Sequence, residues 1–303
     1  MTDLKEIATG LRFPEGPVAL PNGDVLVTEM VTGRLVRVPS RAGGVEVVAE
    51  CGGSANGAAI GPDGHVYLCN SGGWRWTEIG EMLIPGQHGV TQSDDYIGGR
   101  IQRINLATGA VEDVYTECEG RPLRAPNDLV FDSEGGFWFT DHGHARERER
   151  DRTGVCYARP DGSEIREVIF PLETPNGIGL SPDGSRLYVA ETYTGRVWEW
   201  TVTAPGVIEQ GRGVVGGGGR LLAQVPVGQL LDSLAVDRDG NVCVATIGNG
   251  GITVISPDGA SVRHIALPDP LVTNICFVEP EMATAYCTLS ATGKLVSLDW
   301  PPT

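Results

Sequence analysis

Along the chain, one pattern of polar and apolar positions returns: a polar residue, an apolar run, a glycine-containing turn and a second apolar run. It occupies 15–29 (EGPVALPNGDVLVTE), 56–70 (NGAAIGPDGHVYLCN), 127–141 (NDLVFDSEGGFWFTD), 176–191 (NGIGLSPDGSRLYVAE) and 232–246 (DSLAVDRDGNVCVAT). A sixth copy, 274–288 (NICFVEPEMATAYCT), keeps the rhythm without the turn glycine. The apolar runs, of about four to six residues, are too short for amphipathic helices and are bounded by turn residues, so each copy predicts a β-hairpin.

Further strands follow each hairpin. Third strands are signalled after Thr32-Gly33, Thr194-Gly195 and Thr292-Gly293, and more weakly after Gly99 and at Gly251. Fourth strands are expected at 45–50, 111–116, 164–170, 220–225 and 262–267. Four strands in a unit of roughly 40–50 residues is the plan of a propeller blade. The sixth unit runs out near Trp300 after three strands, and 4–9 (LKEIAT) can supply the fourth, which removes two open sheet edges. The expected fold is therefore all-β: a six-bladed β-propeller of four-stranded antiparallel blades, closed by the N-terminal strand, forming one domain over 1–303. An insertion at about 72–98, with Trp74, Trp76 and Tyr96, is expected as a cover over the channel. A smaller, highly charged one follows at 142–153.

Aligned on Gly23, Gly64, Gly135, Gly184 and Gly240, the opening polar residue always falls eight positions earlier: Glu15, Asn56, Asn127, Asn176 and Asp232. First strands of blades line a propeller's channel, so these residues, with Asn274 from the sixth copy, predict a ring of side-chain oxygens around one axis. Hard cations such as calcium take six to eight oxygen ligands, and the ring has no thiolate or imidazole to favour zinc or copper. A second ring is expected at the ends of the second strands: Glu29, Asn70, Asp141 and neighbours, with His142 and His144 after Asp141. These are candidates for substrate contact or acid–base work.

Glycine (43) and proline (20) are abundant, as many tight turns require. The formal net charge of −16 repels phosphate backbones and argues against nucleic acid as a partner. The seven cysteines form no CxxC pair and read as buried small hydrophobes in a reducing compartment. No apolar stretch reaches eighteen residues, and the N-terminus lacks a basic start followed by an apolar core, so no membrane association and a cytoplasmic location are expected.

A cation in a partial oxygen cage polarises an ester carbonyl or activates a water. Asp232 is the first candidate to take the proton of the attacking water, with Asp141 or cation-polarised water as alternatives. No G-x-S-x-G elbow signals a serine nucleophile.

The segments FPEGP (13–17), PNDLVFDSEGGFWFTD (126–141), TPNGIGLSPDGSRLYVAET (174–192) and LLDSLAVDRDGNVCVAT (230–246) resemble the gluconolactonase/regucalcin (senescence marker protein 30) family, and the Asp-Ser pair at 232–233 its bacterial lactonase branch. The resemblance runs from about Phe13 to Trp300. It implies a six-bladed propeller with one catalytic divalent metal held by Glu15, Asn127, Asn176 and Asp232, with Asp232 as general base. Calcium is the expected ion, with zinc, magnesium and manganese as alternatives. The implied activity is hydrolysis of a small lactone, such as a sugar-acid lactone. Where vertebrate members carry a substrate-binding arginine this chain has Ala125, with Arg124 adjacent, and their substrate-binding glutamate maps near Ala145. The substrate contacts expected here are Asn56, Asp141, His142, Trp74, Arg124 and Glu29. Two other functions fit the same ring: an organophosphate or aryl-ester hydrolase, and a non-catalytic metal- or ligand-binding propeller.

Overall fold

The paired apolar runs become paired strands, and the chain reverses at the turn glycines. Gly23, Gly64, Gly135, Gly184 and Gly240 all lie at φ between 70° and 86°, a region that costs an L-residue roughly 1–2 kcal/mol. The computed structural model describes residues 4–41, 44–209, 211 and 216–301.

Blade 1 comprises Pro14–Ala19, Val25–Glu29, Arg34–Val38 and Glu46–Glu50. Blade 2 comprises Ala55–Ile60, Val66–Asn70, Arg100–Ile104 and Val111–Tyr115, and blade 3 Pro126–Phe131, Phe137–Asp141, Thr153–Ala158 and Ile165–Leu172. Blade 4 holds Pro175–Leu180, Arg186–Glu191, Arg196–Ala204 and Arg220–Gln224, with the short Val207–Ile208 alongside. Blade 5 is Leu230–Val236, Val242–Ile247, Gly251–Ile255 and Val262–Ala266. Blade 6 takes Val272–Phe277, Thr284–Leu289 and Lys294–Asp299 from the end of the chain and Leu4–Thr9 from its start, with Leu4 paired to Leu298. The fold is thus the six-bladed, N-terminally closed propeller that the repeat predicts.

Hydrophobic clusters fill the wedges between neighbouring blades. Trp138, Tyr157, Leu187 and Trp198 sit between blades 3 and 4, and Tyr67, Phe137 and Phe139 between blades 2 and 3. Leu26, Leu35, Leu68 and Ile104 join blades 1 and 2. Each fully buried side chain of this size contributes about 1.5–3 kcal/mol. The cysteines are free, and all but the half-buried Cys276 lie in the interior.

The inner strands carry the feature that positions the site. In every blade the pairing with the second strand slips just after its first residues: between Glu15 and Val18, Ala55 and Ala58, Pro126 and Leu129, Pro175 and Ile178, Leu231 and Leu234, and Val272 and Asn274. Such a bulge breaks the in–out alternation of side chains. It also brings neighbouring inner strands close: a Cβ on Gly16 would stand 2.5 Å from the Asn56 carbonyl oxygen, and one on Gly57 2.6 Å from that of Asn127. Asn-Gly at 56–57 therefore reflects close packing around the axis.

The 72–98 insertion crosses the channel face. Its hairpin, Trp76–Ile79 with Met82–Pro85, reaches blade 6 through the Leu83 N–H, which donates to Ala291 O at 3.0 Å. Its other limb meets the 142–153 insertion, where Thr91 N donates to Ala145 O at 3.0 Å and Ala145 N to Thr91 Oγ1 at 2.8 Å. Beneath it Phe13, Met30, Leu83, Trp74, Trp76 and Leu271 form a cluster drawn from blades 1 and 6 and the insertion itself.

Candidate active site

The register-matched residues Glu15, Asn56, Asn127 and Asn176 are all buried, and Asp232 is half-buried, as a wall residue of a narrow channel is. Hydroxyls of the second strands brace the backbone of this ring from blade to blade. Thr28 Oγ1 donates to Asn56 O at 2.7 Å, Ser71 Oγ to Pro126 O at 3.0 Å and Thr140 Oγ1 to Asn176 O at 2.6 Å. Two amides are further oriented through their NH2 groups: Asn176 Nδ2 donates to Thr192 Oγ1 at 3.1 Å, and Asn56 Nδ2 to Ser71 Oγ at 3.4 Å.

That orientation leaves the amide oxygens unused. Oδ1 of Asn56, Asn127 and Asn176 is buried and accepts no hydrogen bond in the protein. A buried acceptor left unmatched costs about 1–3 kcal/mol, and three at one level amount to a site prepared for a donor or a cation. The carboxylates point the same way. Burial, then the charge of Glu15, pushes the Asp232 carboxyl well above its usual range. Burial raises that of Glu15 as well, against hydrogen bonds from Asn274, Thr273 and the Gly16 N–H. Among the described residues no three His, Cys, Asp or Glu side chains could hold a metal by themselves. The set that fits a hard cation is mixed: carboxylates of Glu15 and Asp232 with amide oxygens of Asn127 and Asn176, and Asn56 beside them.

One carboxylate here is not signalled by the repeat. Asp128 follows Asn127 in the bulge, is buried, and is pushed up to about 7 by burial and then by Glu15. The matching positions in blades 1, 2 and 4 are Gly16, Gly57 and Gly177, so strict alternation gave no sign that this position also faces the axis. The sixth blade departs from the repeat's register. The pair Val272 with Leu289 matches Pro14 with Glu29, so Thr273, not Asn274, takes the ring position. The Thr273 hydroxyl is engaged by Thr288 Oγ1 at 2.9 Å and Ser290 Oγ at 2.5 Å. Asn274, one residue on, reaches the ring by donating to Glu15 Oε2 at 2.8 Å.

In the second ring, the candidates for substrate contact hold their carboxylates on loop groups. Asp141 Oδ1 accepts from Ala125 N at 2.7 Å and Gly143 N at 3.1 Å, and its Oδ2 from Arg124 N at 2.8 Å. Glu29 accepts from Arg12 N at 2.9 Å and Thr32 Oγ1 at 2.7 Å, and Glu191 from Glu173 N at 2.8 Å and Thr194 Oγ1 at 2.6 Å. These carboxylates tie down the loop that leads into each inner strand, and their oxygens are committed there. Arg124 serves through its backbone, while its exposed guanidinium lies 3.9 Å from Asp151. His142 is buried and held to about 4, mainly by burial, so it is a neutral imidazole whose Nδ1 bonds Gly143 O at 2.9 Å. Its ring lies 5.6 Å from that of Trp74. His144 bridges the insertions, Nδ1 to Thr91 Oγ1 at 3.1 Å and Nε2 to Ser71 O at 2.9 Å.

A protein-family model described as SMP-30/Gluconolactonase/LRE-like region matches residues 13–291. The gluconolactonase of Zymomonas mobilis is 25% identical over 301 residues, covering 92% of this chain and 76% of its own. The lactonase Drp35 of Staphylococcus aureus is 31% identical over 221 residues, 71% of this chain and 57% of that protein. Among solved structures, a gluconolactonase from Xanthomonas campestris superposes with a TM-score of 0.75 at 23% identity, over 98% of this chain and 89% of the other. A calcium-binding regucalcin from Agrobacterium tumefaciens gives 0.75 at 16% identity, over 98% and 93%.

Proposed function

The chain belongs to the SMP-30/gluconolactonase/LRE family, and from that premise we propose that it is a lactonase that opens the ring of a small lactone at the axial oxygen ring. The observation that carries the reading is the set of unmatched amide oxygens of Asn56, Asn127 and Asn176 beside the mutually repelling carboxylates of Glu15 and Asp232. Glu15, Asn127, Asn176 and Asp232 would hold one divalent cation. Calcium suits this all-oxygen set best, and a relative of the same fold is calcium-binding. Bound there, such an ion supplies Lewis-acid polarisation of the ester carbonyl, worth several kcal/mol of transition-state stabilisation.

The chain's own groups do the rest. Asp232, open to the channel, hydrogen-bonds the attacking water and accepts one of its protons as the oxygen adds to the carbonyl carbon. The ring C–O bond then breaks, and the proton passes to the departing alkoxide oxygen, giving the hydroxy acid. Asn56 Oδ1 accepts a hydrogen bond from the water or a substrate hydroxyl. Asp128 lies in the channel with Glu15 and Asp232, and its charge deepens the negative field that retains the cation.

The test is metal analysis of the purified protein with a lactone panel in weakly buffered indicator, before and after chelation. Acidification that stops with chelator and returns with calcium is expected, as is its loss in Asp232→Ala. Faster turnover of a fluorophosphate than of any lactone would replace the lactone reading. An Asp232→Ala protein changed in cation affinity alone, with no wild-type turnover of any ester, would replace the enzyme reading.

A further inference from the structure

Resting on the lactonase reading, the wall just above the oxygen ring bears on which lactones fit. One residue beyond each second strand's pairing, the chain makes the same bond in five blades: Met30, Ser71, His142, Thr192 and Ser290 donate their N–H to the carbonyls of Phe13, Ser54, Ala125, Thr174 and Leu271. Ser71 and Thr192 touch the ring directly, through the side-chain amides of Asn56 and Asn176. Met30 and His142 hold the same level beside Glu15 and Asn127, and Ile247, bridged to Leu271, holds it in blade 5.

Aromatic rings stand over this level. Trp74, brought in by the long insertion, packs against the cluster of Phe13, Met30 and Leu83, as Leu271 does, and its ring lies 5.6 Å from that of His142. Tyr193, half exposed, lies 6.4 Å from His142 in turn. The guanidinium of Arg150 is held over the Tyr193 ring at 4.5 Å. From blade 1 round to blade 6, the apolar and aromatic members of this collar are Met30, Trp74, His142, Tyr193, Ile247 and Leu271, with the hydroxyls of Ser71, Thr192 and Ser290 between them and the Arg150 guanidinium at the Tyr193 edge.

We propose that this collar receives an apolar substituent of the substrate, so that the preferred substrate is a lactone bearing an alkyl or aryl group, and polyhydroxylated sugar lactones are disfavoured. A hydrocarbon group gains by leaving water for Trp74, Met30, Ile247 and Leu271. Sugar hydroxyls set against Met30, Ile247 and Leu271 would surrender hydration without a donor or acceptor in return.

The experiment compares kcat/KM for δ-valerolactone, δ-decalactone and glucono-δ-lactone in wild type, Trp74→Ala and Tyr193→Ala. The pentyl chain of δ-decalactone raises kcat/KM about tenfold or more over δ-valerolactone, the scale on which apolar pockets discriminate methylenes. Trp74→Ala lowers the δ-decalactone value about tenfold more than the δ-valerolactone value. Tyr193→Ala, at a half-exposed position, shows the same bias if the tryptophan variant does not fold. Glucono-δ-lactone equalling δ-decalactone, or variants that lower all three substrates alike, overturns the proposal. Tryptophan fluorescence titration with 2-pentylcyclohexanone and cyclohexanone, which are not hydrolysed, separates the collar from the activity. Tighter binding of the pentyl ketone, lost in Trp74→Ala, sustains the collar even where no lactone turns over, in which case only the lactonase reading falls. Equal binding of the two ketones overturns the collar at any level of turnover.

Discussion

Asn274 Nδ2 donates to Glu15 Oε2 at 2.8 Å across the seam where the last blade meets the first. Glu15 is buried, and this amide is the foremost group opposing the rise that burial imposes on its carboxyl. Asn274→Ala removes the donor and leaves the carboxylate short of a partner, at a cost of about 1–3 kcal/mol. Urea unfolding with and without calcium checks this: lower stability and weaker cation binding are expected. An unchanged midpoint and affinity would show that the bond does not hold Glu15 in place.

The ring amides behave differently. Asn127 and Asn176 each present a buried oxygen without a partner, so truncating Asn127 should cost the cation-free protein little, while Asn176→Ala also loses the bond from Nδ2 to Thr192 Oγ1, worth about 0.5–1.5 kcal/mol. With calcium present, Asn127→Ala and Asn176→Ala should bind the ion at least about tenfold more weakly, the loss of a charge-assisted contact of roughly 1.5–3 kcal/mol. Calorimetric titration and thermal melts with and without chelator read both quantities. A large loss of cation-free stability with unaltered calcium affinity would assign these amides to the fold alone.

His142 gives a pH signature. Its folded value of about 4 lies below the ordinary 6.5, because burial, then the charges of His144 and Arg150, disfavours the imidazolium against the Gly143 carbonyl contact. Above 6.5 the residue is neutral in both states and its full contribution is present. As pH falls from 6.5 towards 4, the unfolded chain takes up a proton that the folded chain refuses, and up to about 3 kcal/mol is lost. The raised carboxyls of Glu15, Asp128, Asp141 and Asp232 act in the opposite sense, since acid protonates them first in the folded state. The informative quantity is therefore the stability of His142→Asn minus that of wild type, measured by urea unfolding from pH 7 to 4. It should climb in the variant's favour, and a flat difference would mean a solvated imidazole.

Gly57 tests the close approach of inner strands. A Cβ there would lie 2.6 Å from both Asn127 O and Asp128 Oδ1, so Gly57→Ala must push blades 2 and 3 apart, costing about 1–3 kcal/mol. Gly64→Ala is the comparison, because its φ of 76° is strained for alanine but nothing lies within 4 Å. Both variants should melt lower, and only Gly57→Ala should also lose calcium affinity. Equal affinities would show that the ring tolerates a wider axis.

Much of this architecture is legible in the sequence because the turn glycines fix a register. Eight residues before each lies Glu15, Asn56, Asn127, Asn176 or Asp232, and each of the five sits at the same step of its blade, at the slip of the inner strand. The rule fails where the turn changes. In blade 6, Val278 N bonds Thr284 O around a loop of 279–283, where blade 1 closes 21–23 with Leu20 N to Asp24 O, and the ring position shifts to Thr273. Asp128 was hidden because a bulge, which no local residue announces, turns two successive side chains inward. Asp141 and Glu29 look like site carboxylates in sequence. Only the backbone geometry shows that loop N–H groups already occupy them. The path of the 72–98 insertion has no repeat to predict it.

The pairing of Leu4–Thr9 with Lys294–Asp299 makes the molecule a hoop instead of a stack. In an open array of repeats, terminal units can fray while the interior persists. Here the two ends of the chain share one sheet, so no blade can peel away first, and loss of any blade loosens the whole circumference. The hoop should therefore melt in a single cooperative step, and the axial side chains keep their spacing until the moment it opens.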